Sequence, residues 1–102
     1  MDLHSDYSKR VVLNHHDLPW IPSPALGVER RMFDRQGDEL ARATSIVRYE
    51  AGAKFPAHTH EFGEEILVLD GVFSDETGSY PPGTYIMNPP GSSHAPFSEG
   101  GC

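Results

Sequence analysis

The chain has 102 residues, a formal net charge of −7 and 37% hydrophobic residues. This is one domain's length, and the acidic charge disfavours direct nucleic-acid binding because phosphates would be repelled. The single cysteine, Cys102, cannot form an internal disulfide, which predicts a reducing compartment such as the cytoplasm. No apolar run approaches the roughly 20 residues of a membrane helix, so we expect no membrane contact.

Nine prolines and ten glycines favour short strands joined by turns over helices. We expect residues 1–9 to be flexible and residues 10–102 to form one domain. The segment Leu18–Leu26 contains three prolines and should be extended, packing Trp20 and Ile21 over an open sheet edge. A loop is expected around Gly78. The predicted strands are Lys9–Asn14, Gly27–Asp34, Ala41–Glu50, Glu65–Leu69, Val72–Asp75, Gly83–Asn88 and a last one starting at His94–Phe97.

The pair His58 and His60 is the first candidate site. Residues i and i+2 of a strand point to the same side, so both imidazoles should face one way. Glu64 follows after a turn, and His94, on a later strand, could close the site from across the fold. Imidazole and carboxylate ligands suit zinc, iron, manganese and nickel. The spacing therefore predicts one divalent metal ion at these residues.

The glycines around the histidines make the pattern more specific than a bare pair. Gly52, five residues, His58-x-His60, three residues, Glu64, six residues and Gly71 match the first motif of the cupin superfamily. The chain resembles this superfamily, which implies an all-β, jelly-roll-like barrel, a single small cupin.

The second cupin motif begins at Gly83 and continues, after five residues, with Pro89-x-Gly91, two residues and His94. It usually ends in asparagine where Ser98 stands here, a departure that does not touch a ligand. Eleven residues separate the two motifs, which permits only a tight hairpin.

The stretches LPWIPSPALGVERRMFDR, ARATSIVRYEAGAKFPAHTHEFGEEILVLDGVFSDETGSYPPGTY and NPPGSSHAPFS resemble the ChrR-type cupin. That domain forms the C-terminal half of certain zinc-binding anti-sigma factors and also occurs alone. The resemblance implies a zinc site formed by His58, His60, Glu64 and His94. It implies a sigma-factor partner only weakly, because the helical domain that grips the sigma factor does not precede these strands.

Two functions stay open at this point, beside a storage-like or purely structural role without chemistry. Four protein ligands can fill a tetrahedral zinc site, which suits a regulatory or sensory role. With iron, manganese or nickel the same ligands leave positions for a small-molecule ligand, as in a cupin dioxygenase. The sequence identifies no catalytic residue and no well-placed arginine for a substrate, and Cys102 is as compatible with a reactive thiol as with a chain end.

Neighbouring residues are weaker metal candidates. Glu65 should lie on the opposite strand face from Glu64, and His4, His15 and His16 lie far from the motif and are expected at the surface.

The end of the chain predicts an open sheet edge. Few residues follow His94, and the segment Ser98–Cys102 contains two glycines, which weaken a strand. Open edges pair with other chains, so we expect a homodimer in which the N-terminal strand or the proline-rich segment covers the partner's edge. The rival expectation is that the chain is a piece of a longer cupin.

Overall fold

The computed structural model describes residues 1–38 and 41–102, and it confirms an all-β domain. Within this part there is one short 3₁₀ turn, His15–Asp17, and no α-helix. The strands are β1 (Asp2–Leu3), β2 (Ile21–Pro22), β3 (Val28–Gln36), β4 (Arg42–Tyr49), β5 (His58–His60), β6 (Glu64–Leu67), β7 (Phe73–Asp75), β8 (Gly78–Tyr80), β9 (Tyr85–Asn88) and β10 (Ser92–His94).

The hairpin of β3 and β4 is the largest element. Its antiparallel register pairs Val28 with Tyr49 and Arg30 with Val47, and because strand side chains alternate, these four share one face. We call this the inner face, since Val28 and Tyr49 are buried in the core. The other face of the hairpin is called the outer face.

The segment Lys9–Asn14, predicted as a strand, is not one. Both ends of the β3 edge away from β4 are already paired, with β1 and with β2, which leaves only residues 31–34 between them for a further strand. Val11, Val12 and Leu13 remain exposed, Val12 at 74%.

The proline-rich segment, expected to be extended throughout, is extended at Ile21–Pro22, where Ile21 pairs with Arg30 on the edge of its own chain's β3. Residues 24–27 then form a turn that leads into β3. Trp20 lies against the outer face, where the guanidinium carbons of Arg31 and Arg48 are 4.3 and 4.1 Å from its ring centroid. Such cation–π contacts hold the segment on the sheet.

Three two-stranded sheets follow, formed by β5 with β10, β6 with β9, and β7 with β8. The loop predicted at Gly78 is instead strand β8, because Asp75 accepts hydrogen bonds from the backbone and hydroxyl of Thr77 (2.8 and 2.5 Å) and shapes a tight turn. This is the hairpin expected between the motifs. In the described residues the sheets are hydrogen-bonded separately and enclose one core.

That core gathers side chains from several sheets. Its buried hydrophobic members are Ala25, Val28, Tyr49, Ala53, Val68 and Phe73, with Ile66 and Ile86 packed against them. The rings of Tyr49 and Phe73 meet edge-on at 5.9 Å, a favourable aromatic geometry.

The last residues of the chain are well held, although their glycines predicted a poor strand. The backbones of Tyr49 and Cys102 exchange two hydrogen bonds, of 2.8 and 3.1 Å. Ser98 has no exposed surface and donates a 2.6 Å hydrogen bond to the carbonyl of Val72. At the place of the motif's usual asparagine, this chain therefore has a buried structural serine. No described helix is long and apolar enough to cross a membrane.

Candidate metal centre

Pairing of β5 with β10 brings the histidines together. His94 lies directly opposite His58, and Ser92 lies opposite His60, in an antiparallel register. His58 and His60 therefore point to the same side of the sheet as His94. Residues 34 or 36 positions apart in the sequence become neighbours by this pairing alone.

The three imidazoles form a tight cluster that could hold a metal ion. One ring nitrogen from each of His58, His60 and His94 lies within 4.8 Å of the others. The Nε2 atoms of His60 and His94 are 2.9 Å apart. His94 is buried, with 7% exposure, whereas the other two are half-buried.

Glu64 reaches the same point from β6. Its Oε2 is 3.0 Å from Nε2 of His60, and its Oε1 is 3.1 Å from Nε2 of His94. Asn88, opposite Glu64 on β9, donates a 3.2 Å hydrogen bond to Oε1 and steadies the carboxylate. Glu65 is exposed on the other face of β6, as strand alternation predicts.

Contacts of the Nδ1 atoms orient the rings of His58 and His94. Nδ1 of His58 is 2.8 Å from the carbonyl of Pro56. A hydrogen bond there leaves Nε2 as the ligating nitrogen. Nδ1 of His94 faces the buried carboxylate of Asp75, with 3.7 Å between Nδ1 and Oδ2. Both rings thus turn Nε2 toward the cluster.

The electrostatics at His60 favour the neutral imidazole that metals bind. Burial lowers the pKa of His60, and nearby His58 and His94 lower it further, against the opposing effect of the Glu64 carboxylate. A neutral ring at physiological pH keeps its ligating lone pair free.

The remaining histidines are elsewhere, as expected. Nδ1 of His4 is 2.7 Å from the carbonyl of Phe33, and Nδ1 of His15 is 3.2 Å from the Arg31 guanidinium. Asp75 and Asn88 are contacts of the site that the sequence did not single out. Asn88 could have been found, since it shares the strand face of Ile86, which points into the core.

An all-β domain with three clustered histidines and a carboxylate on adjoining short strands is the arrangement of a metal-binding cupin. The chain belongs to the ChrR cupin-like domain family, whose family model matches residues 8–102. The resemblance seen in the sequence is thereby confirmed. The comparison with curated proteins finds no match.

Proposed function

We propose that the protein binds one zinc ion through His58, His60, Glu64 and His94 and works as a regulatory or sensory module. The observation that carries this proposal is the convergence of the Glu64 carboxylate with Nε2 of His60 and His94, at 3.0 and 3.1 Å. Ligand atoms that converge this closely suit a cation at their centre.

The donor set supports zinc. Three imidazole nitrogens and one carboxylate oxygen are ligands that Zn²⁺ takes in tetrahedral sites. A site filled by four protein ligands has no open position and is suited to structure or to sensing conditions that remove the metal. When bound, the ion would supply positive charge that joins β5, β6 and β10.

The role in regulation is proposed from the family, since ChrR-type cupins occur in zinc-binding anti-sigma factors. We do not propose a sigma-factor partner. In the anti-sigma factors a separate helical domain, and not the cupin domain, grips the sigma factor. The lone cysteine supports a reducing compartment, and we propose the cytoplasm.

A second candidate is a small metalloenzyme, such as a dioxygenase, that uses iron, manganese or nickel at the same four residues. One observation favours it: Arg30 presents a half-buried guanidinium on the inner face. A cation in that position could bind a substrate's negative charge.

Elemental analysis of protein purified without added metal tests the proposal. We expect about one zinc per chain. Glu64→Gln should weaken zinc binding, whereas the matched variant Glu65→Gln, one residue away on the opposite face, should not. Iron or manganese as the resident metal would favour the enzyme, and equal zinc affinity in the two variants would contradict Glu64 as a ligand.

A further inference from the structure

Arg30 lies on the side of β3 that faces the core. It shares this face with Val28, which is 1% exposed, while Arg31 on the other face contacts Trp20. Val28 packs in the same core as Ile66, and Ile66 shares a strand face with Glu64. Arg30 therefore lies on the hairpin face whose buried residues pack with the sheet that carries Glu64, and its partner across the hairpin, Val47, is 43% exposed.

In the part of the chain that the structure describes, Arg30 has no ion-pair partner and no hydrogen-bond acceptor for its Nε. Its Nε is buried and has no hydrogen-bond partner. None of the ion pairs found there involves Arg30. Burial lowers the pKa of Arg30, and the positive charge of Arg35 lowers it further.

A buried, unpaired Nε–H is unusual because an unsatisfied donor destabilises the fold. Two arginines of the outer face differ in this respect. Arg31 donates to the carbonyl of Leu18 at 2.9 Å, and Arg48 donates to the carboxylate of Glu29 at 3.0 Å. An unsatisfied buried donor of this kind is a place where a ligand can supply the missing acceptor.

We propose that Arg30 binds the carboxylate of a small organic anion at the inner face of the β3–β4 hairpin. The inference goes beyond the proposed function, because it gives the protein a small-molecule ligand whose binding does not require the metal. A planar guanidinium matches a carboxylate with two parallel hydrogen bonds. A carboxylate fits better than a phosphate, because the chain's net charge of −7 disfavours a doubly charged ligand.

Acetate titration, followed by the Nε–Hε resonance of Arg30 in NMR spectra, tests this directly. We expect a saturable shift in the zinc-loaded protein, and weaker binding of inorganic phosphate than of acetate. Arg30→Met should weaken acetate binding by at least about tenfold. The matched control Arg48→Met, which removes an equal charge from the outer face, should leave acetate binding unchanged.

The melting temperature is a second measurement. An arginine with a purely structural role would lower it when replaced, whereas an arginine kept unpaired for a ligand would not. Arg30→Met should melt at or above the wild-type temperature, since it removes an unpaired buried donor, whereas Arg48→Met should melt lower. A linear, unsaturable shift would overturn the proposal, as would unchanged acetate binding in Arg30→Met. So would tighter binding of phosphate than of acetate.

Zinc stoichiometry of the same samples separates this inference from the proposed function. Arg30→Met should keep the wild-type zinc content, because Arg30 is not a ligand. If the wild-type chain binds no zinc but still gives the saturable shift, the zinc proposal fails and the anion site stands. If it binds zinc but gives no such shift, the anion site fails alone.

Discussion

Nδ1 of His94 faces Oδ2 of Asp75 at 3.7 Å, and this buried nitrogen has no hydrogen-bond partner among the residues that the structure describes. The Asp75 carboxylate is itself fixed by Thr77 through its Oδ1. A histidine that binds a metal through Nε2 commonly donates Nδ1–H to such a carboxylate. Asp75 is thus placed to orient His94.

Asp75→Asn should therefore weaken zinc binding by about 10- to 100-fold without removing the site. The control is Asp70→Asn, which changes the charge equally at an exposed position. Competition with a chromophoric chelator measures both affinities. Equal zinc affinities in the two variants would mean that Asp75 does not act on His94.

Alkaline pH should destabilise the fold through one buried group, Tyr49, and one half-buried group, Cys102. Burial, with the nearby charges of Cys102 and Glu64, raises the pKa of Tyr49 above its usual 10.0. Burial also raises the pKa of the Cys102 thiol above its usual 9.0. The folded state keeps both protons longer than the unfolded state does, so stability is full below about pH 9 and falls as pH rises through these values.

Urea unfolding from about pH 8 to about pH 11 tests this dependence. Tyr49→Phe should reduce the loss of stability at high pH, while the exposed Tyr7→Phe should follow the wild type. A wild-type unfolding free energy that does not change over this range would contradict the expectation. The raised pKa also indicates that Cys102 is a poor nucleophile near neutral pH.

Close approach of the chain's last residues to Gly71 should make this glycine irreplaceable. Gly71 has φ +70°, and a Cβ there would collide with the carbonyl oxygen of Gly101. Gly52 has a similar φ of +80°, but a Cβ added at Gly52 would meet nothing within 4 Å. The two glycines differ in the space around them and share their left-handed backbone conformation.

Gly52→Ala should then cost about 1–2 kcal/mol from strain alone. Gly71→Ala should cost at least about 2 kcal/mol more, because the backbone must shift. Chemical denaturation gives both values. If the two costs were the same, the packing of residues 98–102 against Gly71 would not hold in solution.

Much of the site follows from the sequence because it depends on local rules. Strand alternation places His58 beside His60 and separates Glu64 from Glu65. The contacts of Asp75 and Arg30 could not be found in this way, since they depend on which sheets face each other. The strand predicted at Lys9–Asn14 was wrong because apolar residues indicate a strand but do not show whether a pairing edge is free.

The homodimer expected from the sequence stays a prediction, and the structure suggests a different surface for it. The outer side of the β6–β9 sheet exposes Leu67, Leu69, Tyr85 and Met87, each more than half exposed. The exposed Glu65 shares this face with them. Because exposed apolar patches commonly mark interfaces, we propose that a second copy covers this face. The proline-rich segment, by contrast, pairs with its own β3.

Light scattering at micromolar concentration should show a dimer that Leu67→Lys converts to a monomer. Val12→Lys also replaces an exposed apolar residue with lysine, but in the N-terminal segment, and it should leave the dimer intact. A wild-type monomer would refute the dimer, and loss of the dimer on deletion of residues 1–14 would place the contact at the N-terminal segment instead.

Equilibrium dialysis against zinc shows whether the clustered side chains hold one metal ion. The wild-type chain should retain about one zinc at neutral pH and release it in mild acid, where protons compete for the imidazoles. His58→Ala/His60→Ala should retain none, while His15→Ala/His16→Ala should behave as the wild type. Retention of one zinc per chain by His58→Ala/His60→Ala would contradict the account.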